Sequence, residues 1–206
     1  MDLRRRVVQL YLGLLLYGFS SSLLVLAGLG LDPWDVFHQG LARHTPLAIG
    51  TWAIVVGAAV LLLWIPLRQR PGFGTLNNVV LIGATMDVVL AVLSPPHGLP
   101  VRIGYVVAGV FLNGVATGAY IGAGLGPGPR DGLMTGLAGR GHSIRVVRTA
   151  IELTVLATGW LLGGTVGVGT VLYAVSIGPL AHLFIPFFSR SREPAPDAEL
   201  ALQPTE

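Results

Sequence analysis

The chain has 206 residues, 52% of them hydrophobic and only 11% charged, with a mean hydropathy of +0.71. A soluble domain carries roughly 25% charged residues, so this chain lacks the charge to cover a water-facing surface, and its solvent is lipid. No cysteine is present, which excludes disulfides, thiolate metal sites and cysteine nucleophiles. The net charge of +3 comes from 13 basic residues, all arginine, placed at the ends of apolar runs. A nucleic-acid-binding chain would instead show a basic face with aromatics among the charges.

The first segment is Arg4, Arg5 and Arg6 followed by an apolar run from Val7 to Ala27. The run is longer than the apolar region of a signal peptide, about 7–15 residues. Its Gly13 and Gly18 return later as Gly109 and Gly114, so it reads as a transmembrane helix. Further apolar runs span Leu47–Leu67, Thr75–Ser94, Ile103–Ala123, Val146–Gly163 and Gly169–Phe188. Each is about 18–21 residues, enough for a hydrocarbon core of roughly 30 Å. The fifth run is the most polar, with Arg148 and Glu152 near its start.

Between the first two runs lies Gly28-Leu29-Gly30-Leu31-Asp32-Pro33-Trp34-Asp35. It is echoed by Gly124-Leu125-Gly126-Pro127-Gly128-Pro129-Arg130-Asp131. The offset is 96 and holds without a gap from Gly13 to Ala42, with 12 identities in 30 positions. An internal repeat decides the architecture before any other feature. Each copy carries three crossings, and an odd number forces the copies into opposite orientations, related by an axis in the membrane plane. The expected fold is an all-α polytopic membrane protein with six transmembrane helices in two inverted three-helix repeats. Each repeat has a short re-entrant or interfacial helix after its first transmembrane helix. A single membrane domain covers 1–188 (repeat one 7–94, repeat two 103–188), and the Pro-rich 189–206 is expected to be a disordered cytoplasmic tail. Eleven arginines fall in segments on the N-terminal side, while Arg43 and Arg102 fall on the other. That bias places both termini in the cytoplasm of a multi-pass protein of the bacterial inner membrane.

The Pro33-Trp34-Asp35 and Pro129-Arg130-Asp131 segments, with Gly72-Phe73-Gly74-Thr75 and Gly167-Val168-Gly169-Thr170 further on, carry a resemblance. The chain resembles the YczE-like (YczE/YyaS/YitT) bacterial membrane proteins from its first apolar run to its last. The resemblance implies an integral inner-membrane protein without settled biochemical activity, of a kind sometimes suspected of transport. It brings no catalytic residues.

Asp32-Pro33-Trp34-Asp35 combines a cap residue, proline at the first helical position and an acid at the third, which is a helix start. A short helix is expected from Pro33 to about His44 and its twin from Pro129 to about Arg140. In the plainer reading Asp35 and Asp131 satisfy free amides at these starts. In the sharper one, both helices re-enter the bilayer with their N-termini toward its middle. Gly72, Gly74 and Thr75, and their counterparts Gly167, Gly169 and Thr170, each begin a crossing helix. They read as tight turns with a threonine cap, or as amides offered to an anion.

Ionisable groups inside membrane helices are costly and default to functional candidates. Asp87 and His182 occupy matching places, either at depth or nearer the headgroups, and Glu152 lies one turn from Arg148, with which it is expected to pair, either buried at depth or as a structural pair near the interface. His38, one turn after Asp35, reads as a packing or surface residue. Asn77, Asn78 and Asn113 suit interhelical hydrogen bonding. Gly114, Gly118 and Gly122, answered by Gly18 and Ser22, predict packing of the first crossing helix of one copy against that of the other.

No hydrolase or metalloprotease motif and no metal-ligand spacing occurs, so neither a cofactor nor a metal is expected, and no enzymatic step. The leading expectation is a small secondary transporter or exporter using Asp35, Asp131, Glu152, Arg148, Asp87 and His182 for a small molecule or ion. The alternative is a non-transporting membrane partner or regulator of a membrane or biosynthetic enzyme. The expected partners are the lipid bilayer and no nucleic acid, with a homodimer left open.

Overall fold

The computed structural model describes residues 2–189. The expected tail, except Ser189, lies outside the described residues. Eight helices follow one another and no strand is present among these residues: α1 (Leu3–Ala27), α2 (Pro33–Arg43), α3 (Ile49–Leu67), α4 (Phe73–Val92), α5 (Leu99–Gly122), α6 (Pro129–Ala138), α7 (Ile144–Leu161) and α8 (Val168–Ser189). Five of them, α1, α3, α4, α5 and α8, are long and apolar enough to cross a membrane. The fifth expected crossing, α7, has 18 residues and carries Arg145, Arg148 and Glu152, which keep it below that apolarity.

Apolar side chains cover the outside as well as the core. Ser20, Ser21, Ser22, Asn113, Thr75 and Thr170 are buried, while Leu62, Ile65, Val88, Val92, Leu161 and Val168 are exposed. An apolar exterior, with polar groups sequestered inside among an apolar core, is what a lipid solvent selects. Asn113 takes the gluing role expected of it: its Nδ2 donates to Ser20 Oγ at 3.0 Å, and its Oδ1 accepts from the Tyr173 hydroxyl at 3.0 Å. It thereby ties α1, α5 and α8 together.

Helices α1 and α5 pack antiparallel at the centre. Arg6, at the start of α1, donates from Nε and Nη2 to the carbonyls of Ala123 and Gly124 at 2.8 and 2.6 Å. Arg102, at the start of α5, does the same to Ala27 and Gly28 at 2.7 and 3.0 Å. A guanidinium at a helix C-terminus satisfies orphan carbonyls and complements the dipole. The contacts are reciprocal, since each residue of one copy meets the counterpart of its own partner.

The same reciprocity governs the Gly-x-Gly-Thr turns. The Gly74 amide donates to the Leu125 carbonyl at 2.8 Å, and the Gly169 amide to the Leu29 carbonyl at 2.9 Å. Thr75 Oγ1 accepts from the Gly72 amide at 3.1 Å and donates to the Pro127 carbonyl at 2.7 Å; Thr170 Oγ1 accepts from the Gly167 amide at 3.3 Å. The amides expected to face either a cap or an anion are thus spent on caps and on the other copy's backbone. Gly30 (φ +118°) and Gly126 (φ +129°) lie beneath these turns, in a backbone conformation that side chains rarely adopt. A Cβ on either would also collide with the facing threonine hydroxyl at 2.7 Å.

The expected role of the small-residue stripes is corrected. Gly114, Gly118 and Gly122 receive Leu180, Phe184 and Phe188 of α8, and Gly18 receives Ile82 and Thr85 of α4. The α1–α5 contact instead uses Gly13, against Ala119 and Tyr120, and Gly109, against Ser20 and Leu24. Five residues turn a helix by about 140°, so Gly13 and Gly18 face different neighbours.

Candidate functional site

The two short helices meet at their N-termini. In α2, Asp32 Oδ1 accepts from the amides of Trp34 and Asp35 at 3.1 and 3.2 Å, and Pro33 sits where no amide is needed. In α6, Pro129 holds the same position but Gly128 replaces the capping aspartate. The cap expected of Asp35 is therefore provided by Asp32. Asp35 is freed for His38, whose Nδ1 lies 3.0 Å from its Oδ1. His38 is fully buried, so of its two expected roles the surface one falls, and it packs inside as the partner of Asp35. Asp131 is likewise no cap, because its Oδ2 accepts the Tyr120 hydroxyl at 2.8 Å.

Trp34 and Arg130 are equivalent positions of the two copies, and they touch. The guanidinium carbon of Arg130 stands 4.8 Å from the centre of the Trp34 ring, a cation–π contact. The same guanidinium faces Asp32 Oδ1 at 3.7 Å and Asp35 Oδ1 at 4.0 Å. Both distances exceed hydrogen-bond reach, so the ions attract across a gap.

A cavity of about 100 Å³ opens at this junction. Its wall includes Asp32, Trp34, Arg130, Asp131, Arg148 and Glu152, with Asp32 rather than Asp35 exposed to it. Such a space holds a few waters, each needing about 30 Å³, or one small polar group. Asp32 Oδ2 and His38 Nε2 are buried without a hydrogen-bond partner. Buried polar atoms are nearly always paired, so each such exception asks for a reason.

Arg148 and Glu152 form their expected pair, Nε to Oε1 at 2.9 Å, but the side chains are 51% and 33% exposed. The pair is therefore not deeply buried: both side chains border the first cavity, and Arg148 the second as well. Asp87 lies elsewhere. Its Oδ1 accepts from the Gly50 amide and its Oδ2 from the Thr51 hydroxyl, both at 2.7 Å. Since Ala48, the residue that precedes α3, offers no side-chain cap, Asp87 caps the helix from α4, and it does not line the central cavity. His182 borders a second cavity of about 400 Å³ that shares Tyr17, Tyr120, Asp131, Arg148 and Tyr173 with the first. Among the described residues no cluster of histidine and acids could hold a metal.

The residues missed in the sequence are Tyr17, Tyr120, Tyr173 and, as a cavity acid, Asp32. A signal for two of them lies in the repeat. Tyr17 aligns with Asn113 at offset 96, and Tyr173 with Asn78 at offset 95. Polar side chains at matched depths of both copies mark inward-facing positions. Tyr120 aligns with Leu24 and leaves no such trace.

The family model that matches residues 4–186 is described as "Family of unknown function (DUF6198)". An uncharacterized protein of Haemophilus influenzae is 42% identical over 182 residues, covering 88% of this chain and 84% of that protein. The uncharacterized membrane protein YczE of Bacillus subtilis is 37% identical over 182 residues, covering 85% of this chain and 83% of its own. The uncharacterized protein YyaS of the same organism is 27% identical over 186 residues, 87% of this chain and 92% of that one. No solved structure matches. With nearly all of its helical bundle matched, and with YczE and YyaS among its relatives as the resemblance implied, the chain belongs to the DUF6198 family.

Proposed function

We propose that this integral membrane protein is a small secondary transporter of the bacterial inner membrane, with no enzymatic step. The observation that carries the reading is the polar cavity where two short-helix starts converge, lined by equivalent residues of both copies: Pro33 and Pro129, Trp34 and Arg130, Asn78 and Tyr173. Irregular backbone and charge at membrane depth are tolerated where they line such a cavity, and substrate sites of inverted-repeat transporters lie at this kind of interface.

The proposed topology has six crossings in two inverted units, with α2 and α6 re-entering from opposite sides. The antiparallel α1–α5 pair and the reciprocal arginine caps support it. In this reading α7 is the sixth crossing, and Arg148 and Glu152 are tolerated because they face the cavities. The arginine bias of the loops supports cytoplasmic termini.

The test is reconstitution. Vesicles holding the purified protein should show a change in an entrapped pH dye when members of a panel of small organic ions are added outside. The response should vanish with Asp131→Asn, which can still accept the Tyr120 hydroxyl and so should melt normally. Signals equal to those of empty vesicles across the panel, or an active Asp131→Asn, would overturn the proposal.

A further inference from the structure

The two copies differ in one respect that bears on the ligand. In the first, α3 is closed on α4. Gly50 and Gly83 touch backbone to backbone, and Asp87 pins α4 to the start of α3. In the second, the counterparts of Gly83 and Asp87 are Gly178 and His182. A Cβ on Gly178 would meet nothing within 4 Å, His182 is exposed, and α7 does not pack on α8 as α3 packs on α4. The space that packing fills in one copy is, in the other, the cavity of about 400 Å³.

This compartment is polar at one end and apolar along one side. Its inner end is formed by Tyr17, Tyr120, Asp131, Arg148 and Tyr173, which it shares with the central cavity. Its side wall is Ile177, Ala181 and Ile185 of α8. Charge around the junction is unbalanced. Four carboxyl groups, Asp32, Asp35, Asp131 and Glu152, meet two guanidiniums, Arg130 and Arg148, and one imidazole, His38 on Asp35, and Glu152 already occupies Arg148. Asp32, 2% exposed, keeps an unpartnered Oδ2 in the wall of the central cavity. Carboxyl groups that outnumber the bases around them, away from water, make a site suited to a cation. Tyrosine faces add to that preference, and the seat of Arg130 over Trp34 displays it within the protein itself.

We infer that the compartment open between α7 and α8 binds an organic cation with an apolar body, its charge directed at Asp131 and Asp32 and its body laid along α8. The inference deepens the transport reading by naming the class of substrate. It is tested by binding without a gradient, so loss of binding and loss of transport are separate results.

The probe is benzyltrimethylammonium, with phenylmethanesulfonate as an anion of similar size and the same ring. Equilibrium dialysis against the purified full-length chain in detergent should show the cation bound and the anion excluded. Gly178→Leu fills the compartment at a position where a side chain has room, and should weaken cation binding by about tenfold or more. Ala181→Leu, on the same wall, should act likewise and serves if Gly178→Leu fails to fold. Asp131→Asn should weaken binding to a similar extent while melting normally. Gly104→Leu, where the added side chain also meets nothing, should leave binding unchanged. Equal binding of cation and anion, or full cation binding by either wall-filling variant, would overturn the inference. So would binding of neither ion together with a lipid released on denaturation, which would assign the space to an acyl chain.

Discussion

Asp87 offers the sharpest separation of structure from function, because it looks like a transport residue and is held like a helix cap. Its two carboxylate oxygens accept from the Gly50 amide and the Thr51 hydroxyl at 2.7 Å each. Removing the carboxylate in Asp87→Ala leaves an amide at the start of α3 with no acceptor. A hydrogen bond to a charged group contributes about 1.5–3 kcal/mol. Asp87 is half-buried, so the lower end applies and the two bonds together give about 3 kcal/mol. Asp87→Asn retains an acceptor for Gly50 and loses the charge facing the helix dipole, a cost of about 1 kcal/mol. For a chain of this size each kcal/mol moves the midpoint by about 2–4 °C. Asp87→Ala should therefore melt about 6–12 °C lower, and Asp87→Asn about 2–4 °C lower. The measurement is loss of helical circular dichroism in detergent at one fixed scan rate, since unfolding of such proteins is commonly irreversible. Asp87→Asn should keep any transport activity. Wild-type melting of Asp87→Ala would refute the capping argument, and a normally melting but inactive Asp87→Asn would return Asp87 to the ion path.

Other predictions follow from the same contacts. Arg148→Gln and Glu152→Gln should each cost less than about 1 kcal/mol, with a coupling near 0.3–0.5 kcal/mol in a double-mutant cycle, because both side chains are partly exposed; a coupling of several kcal/mol would mean the pair is buried in lipid after all. Gly132→Ala drives a methyl into the Trp64 ring, which cannot retreat while its indole N–H donates to the Pro129 carbonyl at 3.0 Å. It should lower stability by about 1–3 kcal/mol, whereas Gly104→Ala should be neutral or stabilising by up to about 1 kcal/mol; the reverse order would contradict the packing of α3 on α6. Reporter fusions after residues 70 and 140 should read cytoplasm and a fusion after residue 97 periplasm, and a cytoplasmic signal at 97 would break the six-crossing topology. Single cysteines at positions 34 and 130 should react slowly with a bulky charged thiol reagent and faster with a small permeant one. Rapid labelling by the bulky reagent would place both short helices at the membrane surface.

What the sequence determined by itself is what local chemistry and solvent impose. Apolar runs with arginine ends make membrane helices wherever they sit, and Asp32-Pro33 and Pro129 start helices by satisfying or dispensing with amides in the first turn. The eight helices were accordingly legible within a few residues. Only the tertiary structure decided which side chains meet. Asp87 looked like an intramembrane charge until α3 arrived with uncapped amides. Asp35 looked like a cap until Asp32 took that place, and His38 became its partner only because α2 turns both inward. Gly13 and Gly18 are alike in sequence, yet one faces α5 and the other α4. Tyr120 carries its hydroxyl to Asp131 only because α6 lies where it does. The asymmetry between the closed α3–α4 pair and the open α7–α8 pair has no sequence signal that could be read beforehand. It depends on how helices distant in the chain share one interior, and packing of that kind is a property of the whole bundle rather than of any segment in it.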